Sequence, residues 1–391
     1  MDISMLTTWR ISCGIAHYAE RLVNELQSLV NVEVVPIEPR LRSGADALRH
    51  YAEDARYYRS LGEQLNRGDV AHVQHQYVFF GGVAPHRAKF AHVLSAARVP
   101  VVLTVHEVDE GSGFKSFLVQ RLNRQSFLHP QVRLIIVHSE PLAESLRRVG
   151  VPAERISILP MPIPSSKNPP PPTPPTRGGE RRQQTSRSSW EGLGGQQTPL
   201  PLWEGSGEGK NKTVLTIFGF IVARKGYDVA LRALRELPEE FVLLIAGGKH
   251  FADRTGYVEE LQADIRRLGL EKRVRITGYL QEEELAQAMS ATDIALAPFH
   301  SMSASASVAE LLGHGKPVIA SDLPPLRALA QEVGSITLFA AGDGRELVER
   351  IRQVARQQTE GTVVLPPVKA GYSFRELAEA TADIYRRVVS T

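Results

Sequence analysis

The sequence predicts two α/β units, each a parallel sheet wound on both faces by helices. Three observations lead there. Short apolar runs alternate with amphipathic stretches along nearly the whole chain, the rhythm of βαβ units. The rhythm breaks over residues 168–212, where Pro, Gly, Gln, Ser and Arg dominate and no core can form. And 391 residues suffice for two ordinary domains, with the 42% apolar and 23% charged content of a soluble globular protein.

Before the break, strands are predicted at about 2–7, 32–37, 70–76, 99–106, 132–139 and 156–160. Helices fall between them, over IAHYAERLVNELQSL, 45–65, 83–96 and FKSFLVQRLNRQSFL. After the break come strands at 213–220, 241–248 and 274–280, then DIALAPF, PVIAS and 336–340, again with helices between. The last segment, SFRELAEATADIYRRVVS, has a Ser start and an Arg-rich finish, and reads as an amphipathic helix. It could cap the second domain or cross back to the first. The expected organisation is a first domain over 1–166, an insert over 167–212, a second domain over 213–371 and a closing helix over 372–391.

Composition excludes several classes. A net charge of +3 without Lys/Arg blocks argues against nucleic acid. Cys13, the only cysteine, leaves no disulfide framework and no thiolate zinc site. No run of about 18 apolar residues and no leader pattern is present, so a cytoplasmic protein is expected, with any membrane contact peripheral and at the inner face. FKSFLVQRLNRQSFL, with Lys115, Arg121 and Arg124, suits an ordinary sheet-covering helix or such a contact. In the insert, PPPPTPP would adopt polyproline II and could bind a partner. WEGLGG and WEGSGEG repeat one another, and a disordered spacer is the main expectation.

Ligands of parallel sheets gather outside the carboxyl ends of strands, so candidates are sought there. The centre is DIALAPFHSMSASASVAELLGHGKPVIASD, residues 293–322: a buried strand, a loop of small residues, a helix opening near Ser307, then a second strand. Such a loop lets backbone N–H groups of Ser307 and Val308 face an anion. Glu310, one turn further, suits ribose hydroxyls, or is simply a first-turn Glu favoured by the helix dipole. In FGFIVARKGYDVALRAL, Arg224 and Lys225 precede Gly226 at a helix start, where only a bound polyanion makes cations favourable. Gly247-Gly248-Lys249 and Gly278-Tyr279-Leu280 end the next strands and offer backbone contacts for a base or ribose.

In the first half, Gly14 at a helix start suits close approach to a phosphate or sugar. His106-Glu107 ends the fourth strand, where a His can bond a substrate hydroxyl, shuttle a proton, or cap a neighbouring backbone. Alternation puts His72 and Gln74 on one face and His75 on the other, which is no metal pair. Gln74 to Gln76, with Gly81 and Gly82, could line an acceptor pocket, and His138-Ser139 fits core or substrate equally.

Together, CGIAHYAERLVNEL, HVQHQYVFFGG, TVHE, FGFIVARKG, RVRITGYL and VAELLGHGKPVIASD resemble, in that order and spacing, the retaining GT-B glycosyltransferases of family 4. The resemblance covers the chain except the insert. It implies two Rossmann-like domains facing across a cleft, a nucleotide-sugar donor held mainly by the second, no metal or cofactor, and a last helix packed on the first domain. By position, Glu310 resembles the second glutamate of the E-x7-E motif, which binds ribose, and Lys225 the lysine on the diphosphate. Gly14 matches the phosphate-loop glycine and His106 the histidine near the donor sugar. Two positions depart: Met302 stands for the first glutamate, and Phe220 for the arginine of the phosphate loop, whose charge Arg224 could replace.

The resemblance implies transfer of a hexose from an NDP-sugar to a hydroxyl of a saccharide, a lipid-linked sugar or a small metabolite, with retention. Two alternatives stay open: another GT-B sugar-nucleotide enzyme such as an epimerase, and a degenerate sugar-nucleotide-binding subunit, to which Met302 and Phe220 point.

Overall fold

The computed structural model describes residues 1–11, 13–42, 44–81, 86–108, 124–164, 212–249, 255–302, 306–360 and 372–390. The insert up to residue 211, residues 109–113, most of FKSFLVQRLNRQSFL, Gly82 and residues 303–305 lie outside the described residues.

The first domain runs β1 (Asp2–Thr7), α1 (Gly14–Leu26), β2 (Asn31–Pro36), α2 (Gly44–Arg49), α3 (Tyr51–Gln64), β3 (Val70–His75), α4 (His86–Ala96), β4 (Val101–Val105), β5 (Val132–Val137), α5 (Glu140–Arg148) and β6 (Ile156–Ile158). All its strand pairs are parallel, in the order β2-β1-β3-β4-β5-β6. Strands covered on both faces are apolar nearly throughout, as in β4, VVLTV, where every residue is buried. β3 is equally buried yet carries His72, Gln74 and His75, polar groups that need internal partners. The segment 45–65, expected as one helix, is two. His50 sits at φ −104° and ψ 12°, outside helical geometry, and its Nδ1 turns back to the Asp46 carbonyl at 3.0 Å.

The second domain runs β7 (Thr213–Phe218), α6 (Tyr227–Glu236), β8 (Phe241–Ala246), α7 (Tyr257–Arg267), β9 (Val274–Ile276), α8 (Glu282–Ser290), β10 (Ile294–Ala297), α9 (Ala306–Gly313), β11 (Val318–Ser321), α10 (Pro324–Val333), β12 (Ile336–Phe339) and α11 (Gly344–Thr359). Its parallel sheet is ordered β12-β11-β10-β7-β8-β9. Counted within the domain, this is the 3-2-1-4-5-6 order of the Rossmann fold. The order reverses between β7 and β10 here and between β1 and β3 in the first sheet, and a crevice opens at such switch points.

The closing helix, α12 (Phe374–Val389), begins with a capping box in which Ser373 and Glu376 bond each other's backbone N–H groups. It packs on the first domain: Leu377, Ala378, Ala382, Ile384, Tyr385 and Val388 share one core with Tyr18, Leu22 and Val23 of α1. Each large side chain buried this way contributes about 1.5–3 kcal/mol. The chain therefore crosses between domains twice, and the crossings touch, Ile163 N–H donating to the Tyr372 carbonyl at 2.8 Å. Among the described residues, no helix is long and apolar enough to cross a membrane.

Candidate functional site

The floor of the site is the switch point of the second sheet. The loop leaving β7 carries Lys225 and the loop leaving β10 leads into α9, and the two are tied by His300 N–H donating to the Arg224 carbonyl at 2.8 Å. Gly219, at φ +105°, is glycine for two reasons. A side chain would be strained there, and its Cβ would collide with the Lys225 ammonium. Gly226, at φ +68°, opens α6, and a Cβ on it would collide with the Pro298 carbonyl. The glycines thus let the lysine fold back under its own strand.

Lys225 is only 7% exposed. Its ammonium donates to the Phe218 carbonyl and lies 3.4 Å from Ser307 Oγ on the first turn of α9. Burial, then the charge of Arg224, pushes its pKa down to about 7. Arg224 itself is exposed. Glu310 lies one turn beyond Ser307 and is 9% exposed. Val308 turns its side chain into the apolar core beneath, which leaves only its backbone for a ligand. Met302 packs against that same core, and Leu280 does so from the β9 loop.

The facing wall is α1. Gly14 opens this helix, and a Cβ there would meet nothing within 4 Å, so the fold does not demand its glycine. His17, exposed, and Arg21, half-buried, follow one turn apart on α1. Both reach the second domain. His17 Nε2 bonds the hydroxyl of Tyr279, and Arg21 grips Glu310 with Nη1 to Oε2 at 2.7 Å and Nη2 to Oε1 at 3.2 Å. Burial favours the neutral acid, but hydrogen bonds from His314 and Arg21 outweigh it and hold the Glu310 pKa down to about 2.

His106 is placed by a buried polar chain. Its Nε2 lies 2.9 Å from Gln74 Oε1, so that nitrogen donates. Gln74 reaches His72 at 3.4 Å, and His72 bonds Thr104 at 2.8 Å and the Tyr385 hydroxyl of α12 at 2.5 Å. The shared face of His72 and Gln74 has this partner set, while His75 packs among Tyr77, Phe80, Phe90 and Phe127. Burial, then neighbouring His138 and His72, keeps His106 well below its ordinary pKa. It stays neutral, suited to orienting a hydroxyl rather than delivering a proton. His138 is likewise internal, its Nδ1 on the Leu159 carbonyl at 2.8 Å.

Gln74, expected on the acceptor side, is 1% exposed and holds His106 instead. Gln76 is half-buried, and Glu107 is exposed beside His106. Gly278 turns the chain at φ +77° and presents the exposed Tyr279 to α1. Among the described residues no group of His, Cys, Asp or Glu side chains converges as a metal site. Sequence reasoning missed His17 and Arg21. Their only signal was a pair of polar residues at i and i+4 in the helix that Gly14 opens.

Residues 13–167 match the family described as Glycosyltransferase Family 4, and residues 211–357 that described as Glycosyl transferases group 1. The sheet pair superposes on Anabaena HepE solved with UDP and glucose, at a TM-score of 0.66, 17% identity and coverage of 98% of this chain and 99% of that one. It superposes on sucrose-phosphate synthase of Thermosynechococcus elongatus at a TM-score of 0.72, 14% identity and coverage of 100% and 99%. Each half of the chain thus matches a glycosyltransferase family model, and the two sheets together have the GT-B fold. Among curated relatives, a D-inositol 3-phosphate glycosyltransferase of Xylanimonas cellulosilytica is 33% identical over 111 residues, 28% of this chain and 26% of its own. The matches span 26% to 43% of the length of the curated relatives.

Proposed function

We propose that the protein moves a hexose from a nucleoside-diphosphate sugar to a hydroxyl acceptor, with retention of configuration and without a metal. The observation that supports this is the contact of Lys225 with Ser307 at the switch point of the second sheet, one helical turn before Glu310. A ribose bonds Glu310 while the diphosphate lies over the start of α9 beside Lys225. As the anomeric C–O bond breaks, charge grows on the diphosphate. Lys225, Arg224 and the backbone N–H groups at the start of α9 stabilise it, an effect worth about 3 kcal/mol for one well-placed donor. The acceptor oxygen bonds the anomeric carbon from the face the phosphate leaves, and its proton passes to a phosphate oxygen. No protein nucleophile is needed, and neutral His106 orients the sugar.

UDP-glucose is the first donor to try, because the HepE structure holds UDP and glucose. The relative named for inositol phosphate makes a small polyol phosphate one acceptor to include. Acceptor hydroxyls would enter over Gln76 and Glu107. A second reading, a sugar-nucleotide-binding subunit without turnover, is favoured by Met302, which packs against apolar core where a glutamate would meet the sugar. The test is incubation of the full chain with UDP-, GDP- and ADP-sugars and an acceptor panel in EDTA, with the product anomer read by NMR. An α-linked product from an α-donor is expected. Binding without product supports the second reading; a β-linked product or loss of activity in EDTA removes retention or metal independence.

A further inference from the structure

The carboxylate given to the donor ribose is not held by its own domain alone. Arg21, from α1 of the first domain, meets both oxygens of Glu310 in a fork-to-fork pair. His314, just past the end of α9, lies 3.5 Å from Oε1. Arg21 is itself braced, its guanidinium 5.9 Å from the centre of the Phe374 ring at the start of α12. The side chains of Arg21 and Glu310 are 33% and 11% exposed, so this is not one of the solvated pairs that contribute little. A carboxylate offers about four acceptor directions. The guanidinium uses two and His314 faces a third, fixing the plane of the group while leaving a direction for a hydroxyl.

We propose that Arg21 is a positioning residue of the donor site. It reaches across the domain gap to fix the plane of Glu310 for a ribose hydroxyl of a ribonucleotide, so the ribose site is complete only when both domains contribute. The proposal rests on the donor reading above. It makes donor affinity and domain apposition reciprocal.

The test is calorimetric titration of the full chain with UDP, GDP and ADP and with their 2′,3′-dideoxy counterparts. The proteins are wild type, Arg21→Gln, Arg21→Lys, Glu310→Gln and the Arg21→Gln/Glu310→Gln double variant. For the preferred ribonucleotide, Arg21→Gln is expected to weaken binding about tenfold. Arg21→Lys should do nearly as much, since an ammonium cannot fork. The double variant should be no weaker than the weaker single variant, because both remove one arrangement. Dideoxy nucleotides should bind all five proteins alike. Unchanged or tighter ribonucleotide binding by Arg21→Gln overturns the proposal, since the arginine would then be irrelevant or a competitor. An equal loss with the dideoxy nucleotides also overturns it, as that marks a general structural effect. A wild-type protein that binds none of the nucleotides removes the donor reading and this proposal together, an outcome distinct from the other two.

Discussion

Lys225 Nζ stands 3.4 Å from Ser307 Oγ, joining the loop after β7 to the first turn of α9, 82 residues on in sequence. Among the described residues no carboxylate pairs with this buried ammonium, which costs stability and preforms a place for negative charge. Lys225→Met should therefore raise the melting temperature while abolishing binding of the sugar nucleotide. With a folded pKa of about 7, the penalty is complete below pH 7 and fades as pH rises from there towards the ordinary lysine range. The gain in Tm should then be larger at pH 6 than at pH 9, as differential scanning calorimetry would show.

The same titration bears on function in the opposite direction. A sugar nucleotide keeps its diphosphate charge across neutral pH, so its affinity should fall as pH rises above about 7 and Lys225 loses its proton. Titrations between pH 6 and 9 should show that limb in wild type. Lys225→Gln should bind weakly throughout and lack it.

Glu310 should make domain pairing sensitive to acid. Its pKa is held at about 2 against an ordinary 4.5, so its contribution is complete above about 4.5 and disappears as pH falls towards 2. The shift corresponds to about 3 kcal/mol. Glu310→Gln should lose roughly that much at pH 7, and its denaturant midpoint should converge with wild type near pH 2. Parallel curves over that window would show that the carboxylate is not the group responsible. Glu310→Ala should also abolish any thermal shift given by a sugar nucleotide.

Two glycines should behave oppositely. Gly226→Ala needs a strained φ and displaces the Pro298 carbonyl, so it should cost about 2–4 kcal/mol in urea unfolding. Gly14→Ala meets only open space within the protein. It should leave unfolding unchanged yet weaken sugar-nucleotide binding about tenfold if a phosphate or sugar occupies that space.

Tyr385→Phe removes one hydroxyl from the buried chain behind His106. The expected cost is about 1–2 kcal/mol of stability, measured by urea unfolding, with UDP affinity unaltered. A drop in UDP affinity would show that α12 acts on the site through more than packing.

The strands were legible because a parallel sheet covered on both faces writes itself as isolated apolar runs, as FVLLIA does in β8. The floor of the site was legible too, since loops after β7 and β10 carry small residues, a lysine and a carboxylate in local order. Its far wall was not. Arg21 and Glu310 are separated by 289 residues, and nothing in the neighbourhood of either names the other. The break at His50 hinges on one imidazole bonding backward, a choice that periodicity does not record.

Because the strip from Phe374 to Val389 roofs the first domain, that domain spends synthesis unfinished. The ribosome must deliver the entire second domain before the earlier one can close its core, reversing the usual N-to-C order of completion. Until then Tyr18 and Leu22 stay bare, an exposed apolar seam on a nascent chain. Chains truncated before α12 should collect in the insoluble fraction for this reason, whatever they retain at the strand ends.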